Sequence, residues 1–346
     1  METFSGFEAG VNLGGWISQY DSFDYQHFET FIQEEDIARI ASWGMDHIRL
    51  PMDYPVFESD DNPFSYNERG FGYVDRVIEW CQKYNLNLIL DLHRAPGFSF
   101  NALQENRLFQ NVDLQERFLA LWEAFARRYR KVERPGLIFE LMNEVVLPTS
   151  APWNELALRA VRRIRAVDPE RWIMIGGNQY NSAWTLKDLV RVDDPHIVYT
   201  FHFYEPMPFT HQKAYWVDFL KTFDTTTHYP GEIPGLDAFL ARHPEYEAHF
   251  AAYRGKTMNL DMLRYFLQPA VDFLEQTHLP LYCGEYGAID HAPLESRLNW
   301  HRDVVGLLRQ HGIGRAVWSY KEMNFRLVNW KGEVESQELV EIVSQR

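Results

Sequence analysis

A short apolar run followed by a segment of helical periodicity recurs about eight times along the chain, and this alternation leaves few folds open. Several of the runs are almost continuously hydrophobic, as is typical of parallel strands covered by helices. The runs are AGVNLGG (9–15), DHIRLP (46–51), LNLILDLH (86–93), LIFELMN (137–143), WIMIGGN (172–178), IVYTFHFY (197–204), LYCGEYG (281–287) and AVWSYK (316–321). Strand then helix, repeated in this way, predicts an α/β fold, a (β/α)8 TIM barrel in which residues 1–346 form one domain.

The segments between the runs carry the signals of helices. YVDRVIEWCQKY at 73–84 has apolar residues at helical spacing. Thr30 with Gln33, and Asp113 with Glu116, have the spacing of helix N-terminal caps. A doubly wound open sheet is the alternative, but the first run, GVNLGGW, lacks the glycine spacing of a dinucleotide-binding turn.

One interval breaks the repeat. Residues 205–260, between the sixth run and a helix starting near Asp261, are far longer than most strand-to-helix connections. They contain many aromatic residues and a helical stretch, GLDAFLARHP. We predict an inserted subdomain between strand 6 and helix 6, over the face where the strands end. The alternative is a folded insertion that only stabilises the barrel.

Charge and cysteine usage exclude several classes of partner. The chain has 34 Lys and Arg against 49 Asp and Glu, a net charge of −15, which disfavours nucleic acid and anionic membranes. No apolar run reaches the length of a membrane span, and the N-terminus has no leader pattern. We therefore expect a cytoplasmic monomer, secreted only if a leader was removed. Cys81 and Cys283 lack metal-ligand spacing and are expected to be reduced, buried thiols.

The polar residues at the strand ends are the candidates for chemistry, because barrel active sites lie there. Two carboxylates stand out, Glu144 after the fourth run and Glu285 in the seventh. Paired acids across a barrel mouth are what glycoside hydrolysis requires, one protonated and one ionised. If Glu285 faces the barrel axis, strand alternation predicts that Cys283 faces it one layer lower. The alternatives are a structural ion pair of Glu144 with Arg49, and a buried Glu285 satisfied by tyrosine.

The segment LIFELMNEVV (137–146) resembles the motif of glycoside hydrolase family 5, the cellulase family. The resemblance extends from GVNLGGW to SQELV and is closest to small non-secreted bacterial endoglucanases with an inserted subdomain after strand six. Val145 stands where many members have proline. The other positions that match the family are Arg49, His93, Asn143, His202, Tyr204, Glu285 and Trp318.

The resemblance implies a retaining endo-β-glucanase that cleaves β-1,4 bonds of cellulose-type and mixed-linkage β-1,3-1,4-glucans without a metal or organic cofactor. Glu144 would be the acid/base and Glu285 the nucleophile of a double displacement. Their carboxyl groups should then lie about 5–5.5 Å apart. Arg49 and Tyr204 would keep Glu285 charged and oriented.

The remaining matched residues would bind substrate. Asn143 would bond the sugar 2-hydroxyl, His93 a neighbouring hydroxyl, and His202 would bracket the acid/base. Trp318 would offer its ring to the flat face of the sugar. Five further residues could line outer subsites but fit packing or capping nearly as well: Asn12, Trp16, Asp53, Phe98 and Asn181.

Other functions stay open at this stage. Within the same family the alternatives are an exo-β-1,3-glucanase or a β-mannanase, and outside it a barrel that binds carbohydrate without cutting it. The histidines form no HxH or HExxH array, which disfavours a metal-dependent hydrolase. Asp91 and Glu140 have the strand parity of the site and are expected to pair with basic or hydroxyl groups inside the barrel.

Overall fold

In the computed structural model, which describes residues 5–101, 106–133 and 136–346, eight parallel strands close into a barrel. The last strand pairs with the first, Gly10 opposite Ala316, so that no barrel edge is left open. This confirms the (β/α)8 prediction. The strands are β1 Ala9–Asn12, β2 His47–Asp53, β3 Asn87–Arg94, β4 Leu137–Glu140, β5 Trp172–Gly176, β6 Ile197–Phe203, β7 Leu281–Tyr286 and β8 Gly314–Val317.

Long helices cover most of the barrel, and the fifth connection is the exception. After β5 the chain forms only the short segment Asn178–Asn181 and the 3-10 helix Ala183–Asp188, where the repeat predicts a full helix. The α-helices that follow the other strands are Tyr25–Thr30, Glu34–Ser42, Glu68–Tyr84, Val112–Tyr129, Ala151–Arg165, Leu260–Thr277, Leu294–Gln310 and Gln337–Val343. Among the residues described, none of these helices is long and apolar enough to cross a membrane.

The helix caps differ from the predicted ones. Helix Glu34–Ser42 begins at Gln33, which forms a capping box with Asp36, while Thr30 ends the preceding helix. Helix Val112–Tyr129 begins at Asn111, whose Oδ1 accepts from two backbone N–H groups of the first turn. In both cases the cap lies at the residue whose backbone is extended, which sequence spacing alone does not reveal.

Residues 205–260 form a run of short elements between β6 and helix Leu260–Thr277. Their apolar centre is aromatic, with Phe223 packed against Phe239 and Phe250 at ring distances of 4.9 and 5.3 Å. The segment is tied to the barrel where the Trp300 Nε1–H donates to the Glu205 carbonyl at 2.9 Å. Its elements are the helices Met207–Thr210, Asp218–Phe223, Leu236–Arg242 and Glu247–Phe250 and the 3-10 helix Pro244–Tyr246.

A β-bulge in β7 changes which of its side chains enter the barrel. Phe201 pairs with Cys283 but His202 pairs with Glu285, so Gly284 is an extra residue. Tyr282 therefore belongs to the inner core, with Ile89 and Met174, whereas Cys283 packs in the outer core under the helices. The prediction that Cys283 lies one layer below Glu285 inside the barrel is wrong. Both cysteines are buried, free thiols, as expected.

Candidate active site

Arg49, fully buried on β2, is the centre of the polar cluster at the barrel mouth. Its Nε and Nη2 donate to the two oxygens of Glu140 at 2.7 and 2.9 Å, and its Nη1 donates to Glu285 Oε1 at 2.8 Å. Asp91 Oδ2 lies 3.1 Å from Nη2. The remaining donors reach the side-chain oxygens of Asn12 and Asn143 at 2.9 and 3.0 Å.

These contacts decide two of the sequence expectations. The internal acids Asp91 and Glu140 do pair with a basic group, the guanidinium of Arg49. The alternative in which Arg49 forms an ion pair with Glu144 is wrong. Within the described ranges, the ion pairs of Arg49 are with Asp91, Glu140 and Glu285.

Glu285 is held from both sides. Besides Arg49, the hydroxyl of Tyr204, just beyond β6, donates to Glu285 Oε2 at 2.9 Å. His202 Nδ1 lies 3.6 Å from the same oxygen. A side chain at position 284 would crowd this region, because a Cβ there would lie 3.0 Å from Thr200 Oγ1 and 3.1 Å from His202 Nε2. The bulge and its glycine therefore let Glu285 point at the axis.

Glu144 lies beyond the end of β4 and adopts a left-handed backbone conformation, with φ of 40°. Its Oε1 lies 3.0 Å from His202 Nδ1. One oxygen of Glu144, one ring nitrogen of His202 and one oxygen of Glu285 all lie within 4.8 Å of one another. The spacing would also admit a metal ion, and these three are the group with that property in the part of the chain that the structure describes.

The two glutamates have different electrostatic surroundings. Burial, and then the negative charge of Glu285, raise the pKa of Glu144 well above its usual range. Burial also raises the pKa of Glu285, but the charge of Arg49 and the hydrogen bond from Tyr204 oppose that shift. Burial, followed by the charge of Arg49, lowers the pKa of His202 well below its usual value, so this ring is neutral beside Glu144.

His93 and Trp318 form a wall of the site. Their rings are nearly parallel, 7° apart in orientation with centroids separated by 5.7 Å. His93 Nδ1 lies 2.6 Å from Asp91 Oδ2, and Asn143 Nδ2 lies 3.4 Å from His93 Nε2. Burial lowers the pKa of His93 to about 4. The residues predicted at the catalytic centre thus come together in one cluster.

The five residues considered for outer subsites do not form one cluster. Trp16 is buried in the core with its Nε1–H bonded to the Phe28 carbonyl at 2.8 Å, and Phe98 is also core. Asn12 braces Arg49 and donates to the Gly284 carbonyl at 3.0 Å, linking the bulge to the cluster. Asp53 is buried near Arg94, at 3.7 Å. Asn181 is buried, and its neighbour Tyr180, which the sequence did not single out, is half exposed near Glu144.

A closed (β/α)8 barrel with two facing carboxyl groups at the C-terminal ends of its strands has the arrangement of a retaining glycoside hydrolase. Residues 6–324 match the model of the cellulase family, glycosyl hydrolase family 5. The chain belongs to this family and is a glycoside hydrolase, as the sequence motif predicted.

Relatives cover almost the whole chain. Endoglucanase C of Acetivibrio thermocellus is 48% identical over 340 residues, 98% of each chain. Cellodextrinase A of Ruminococcus flavefaciens is 38% identical over 312 residues, 90% of this chain and 84% of that one. A solved hyperthermophilic endo-β-1,4-glucanase superposes with a TM-score of 0.76 at 23% identity, covering 98% and 97% of the two chains, which supports the fold.

Proposed function

We propose that this chain is a retaining endo-β-1,4-glucanase in which Glu144 is the general acid/base and Glu285 the nucleophile. The observation that carries the proposal is that one carboxyl oxygen of Glu144 lies within 4.8 Å of one carboxyl oxygen of Glu285, since direct attack needs a short separation of the two acids and attack through water a longer one. The substrate is supported by the 48% identity to an endoglucanase over nearly the full chain.

In the first step Glu285 attacks the anomeric carbon while Glu144 gives its proton to the leaving oxygen. In the second, Glu144 takes a proton from water, which displaces Glu285 from the glycosyl intermediate and restores both groups. Each role fits its surroundings. Arg49 and Tyr204 stabilise the negative charge of Glu285, and Glu144, which lies beside the neutral ring of His202, holds its proton until the bond breaks.

The sugar at the cleavage site contacts the wall of the cluster. Trp318 supplies an apolar ring, and the His93 ring lies nearly parallel to it with centroids 5.7 Å apart. Asn143 is fixed through its Oδ1 by Arg49 and has its Nδ2 3.4 Å from His93 Nε2, and the second N–H of that amide would donate to the sugar 2-hydroxyl, an interaction that strengthens in the transition state. His202 orients the acid/base. Residues 205–260 border the cleft, where Tyr204 contacts the His211 ring at 5.0 Å.

The breadth of substrates is part of the proposal. We expect cleavage of carboxymethylcellulose and of mixed-linkage β-1,3-1,4-glucan, with little activity on laminarin or mannan. Internal cuts would lower the viscosity of carboxymethylcellulose faster than they release reducing sugar. Turnover of mannan alone, or sugar release without a fall in viscosity, would contradict the proposed specificity.

Substitutions at the two acids test the mechanism. Glu144→Gln should hydrolyse glucan very slowly, yet still release nitrophenol from an activated aryl cellobioside, because a good leaving group needs little protonation. Glu285→Ala should lose turnover of both substrates, with azide restoring some as the inverted product. Glu341→Gln, exposed on the last helix, is the matched control. Equal losses on both substrates in Glu144→Gln would exclude it as the acid.

A further inference from the structure

The insertion begins directly after Tyr204, whose hydroxyl donates to Glu285, and a buried threonine of the insertion contacts this tyrosine. Thr210 ends the short helix Met207–Thr210 and is fully buried. Its Oγ1 donates to the backbone carbonyl of Tyr204. The Pro206 carbonyl, a second acceptor, lies farther from this hydroxyl, at 3.4 Å. The main chain of Tyr204 is therefore held by a side chain of the insertion.

The ring of Tyr204 is held by the residue that follows Thr210. His211 packs edge-on against it, with ring centroids 5.0 Å apart, and His211 Nδ1 lies 3.1 Å from Thr210 Oγ1. Burial lowers the pKa of His211 to about 4, so the ring is neutral and carries one proton. The single hydrogen of the Thr210 hydroxyl is donated to the Tyr204 carbonyl, so the proton of His211 is on Nδ1. A chain of donors thus leads from His211 through Thr210 to Tyr204.

Thr210 also contacts the backbone beyond the candidate nucleophile. The N–H of Ile289, which follows β7, donates to the Thr210 carbonyl at 2.9 Å. The hydroxyl of Thr210 therefore holds the residue that donates to Glu285, and its carbonyl holds the segment that leaves the strand of Glu285. The 2.9 Å bond between Tyr204 and Glu285 lies between these two contacts.

The body of the insertion keeps the short helix in place. Gln212 is buried, and its Nε2 donates to the carbonyls of Phe209 and Thr227, both at 3.1 Å. Its Oε1 accepts from the N–H of Thr227 at 3.0 Å. Buried polar groups are costly to leave without partners, so these bonds resist displacement of the helix. The position of Thr210 is therefore set by the rest of the insertion.

We propose that Thr210 is a positioning residue for the reaction, and that the insertion acts on catalysis through its hydroxyl, which holds Tyr204 against Glu285. The inference rests on the proposed function and deepens it, since it gives the insertion a part in the reaction. A hydrogen bond weakens steeply when its donor is displaced or turned. A small shift of Tyr204 would therefore weaken the support for the negative charge of Glu285, whereas an insertion that only stabilises the barrel would leave that charge unaffected.

The test removes the hydroxyl and measures the ionisation of Glu285. Thr210→Val keeps the size of the side chain but cannot donate to the Tyr204 carbonyl. The acidic limb of kcat/KM on nitrophenyl cellobioside, which reports ionisation of the nucleophile, should move up the pH scale by about 0.3–0.7. At pH values below the limb, kcat/KM should then be about two- to fivefold lower. Tyr204→Phe should move the limb further, because it removes the donor itself.

The titratable and charged groups that face Glu285 are unchanged in Thr210→Val: Arg49, Asp91, His93, Glu144, His202 and Tyr204. Thr210→Ser restores the hydroxyl and should restore the limb of the parent enzyme. In the double variant of Thr210→Val with Tyr204→Phe, the limb should lie where Tyr204→Phe alone places it, because the hydroxyl acts through the tyrosine.

Thr227→Val is the matched control. It removes another fully buried hydroxyl of the insertion, one that donates to the Pro208 carbonyl at 2.8 Å. It should lower the thermal midpoint about as much as Thr210→Val does, because each loses one buried hydrogen bond to a carbonyl, and it should leave the limb unmoved.

An unmoved limb in Thr210→Val would overturn the inference, and so would an equal shift in Thr227→Val or an additive shift in the double variant. If Thr210→Val does not fold, Thr210→Ala takes its place, and equal limbs in Thr210→Ala and Thr210→Ser would overturn the inference in the same way. Inactivity of the unmodified enzyme on both carboxymethylcellulose and nitrophenyl cellobioside would instead refute the proposed function.

Discussion

Replacing Arg49 should expose how strongly the barrel mouth depends on one guanidinium. Arg49→Met removes a buried group whose N–H donors contact Glu140 twice, Glu285 once and two amide oxygens. Each hydrogen bond to a charged group contributes about 1.5–3 kcal/mol. If the acids stayed ionised, losing the three bonds to carboxylates would cost more free energy than breaking a buried ion pair usually does. The acids can take up protons instead, which limits the loss. We therefore expect the free energy of unfolding to fall by about 3–5 kcal/mol at neutral pH.

The same reasoning gives the pH dependence of the stability lost in Arg49→Met. Without Arg49, the folded-state pKa values of Asp91, Glu140 and Glu285 rise further, and burial already raises that of Asp91 to about 7. A raised folded pKa means that the native state holds protons the unfolded chain has released, so stability falls as pH rises through that window. The deficit of the variant should be small near pH 5 and should grow towards about pH 8.

Urea titrations followed by tryptophan fluorescence at several pH values measure this, with kcat/KM measured on the folded fraction. Arg49→Lys is the matched control, since it keeps the charge but cannot bond both oxygens of Glu140 and another acid at once. It should lose less stability than Arg49→Met. The reasoning is refuted if Arg49→Met loses less than about 1 kcal/mol, or if its deficit does not change with pH.

Three further substitutions separate activity from stability. Glu144→Gln should be more stable than the parent protein above about pH 5, by a margin that grows with pH, because the substitution removes an acid whose pKa burial raises. A thermal midpoint below that of the parent protein at these pH values would contradict this. Tyr204→Phe should move the acidic limb of kcat/KM to higher pH, because the pKa of Glu285 loses the hydrogen bond that lowers it; an unmoved limb would exclude this role. Asp46→Asn, at the opposite end of the barrel, should lower the free energy of unfolding by about 1–3 kcal/mol in urea titrations at neutral pH and leave kcat unchanged. Burial alone would raise the pKa of Asp46, but His47 holds it well below its usual range, so that loss should shrink in acid; a kcat loss would show coupling to the site.

The strands were predictable because a parallel barrel strand is buried on both faces. Each of the eight runs coincides with or overlaps an observed strand, and the polar residues at their ends meet in one cluster. The sequence also identified the family, because the run ending in Asn143 and Glu144 is specific.

The parts that sequence did not predict depend on backbone geometry. Gly284 has the pattern of any strand residue, and only the pairing of β6 with β7 makes it a bulge that sends Tyr282 inward. Tyr180 lies in a polar stretch with no periodic signal, and its position near Glu144 depends on a left-handed turn that the side chain of Asn178 ties to the backbone of Leu147. Both features come from contacts between segments distant in sequence.

The division of labour between the two acids follows from the number of charges. One guanidinium faces Asp91, Glu140 and Glu285, while Glu144 lies close to Glu285 without touching Arg49. Four ionised carboxylates around one positive charge would repel one another strongly in a buried site, so at least one must keep its proton. That proton is best kept by the acid that lacks the arginine, which is Glu144. A second arginine beside Glu144 would therefore stabilise its charged form and remove the proton that the leaving oxygen needs.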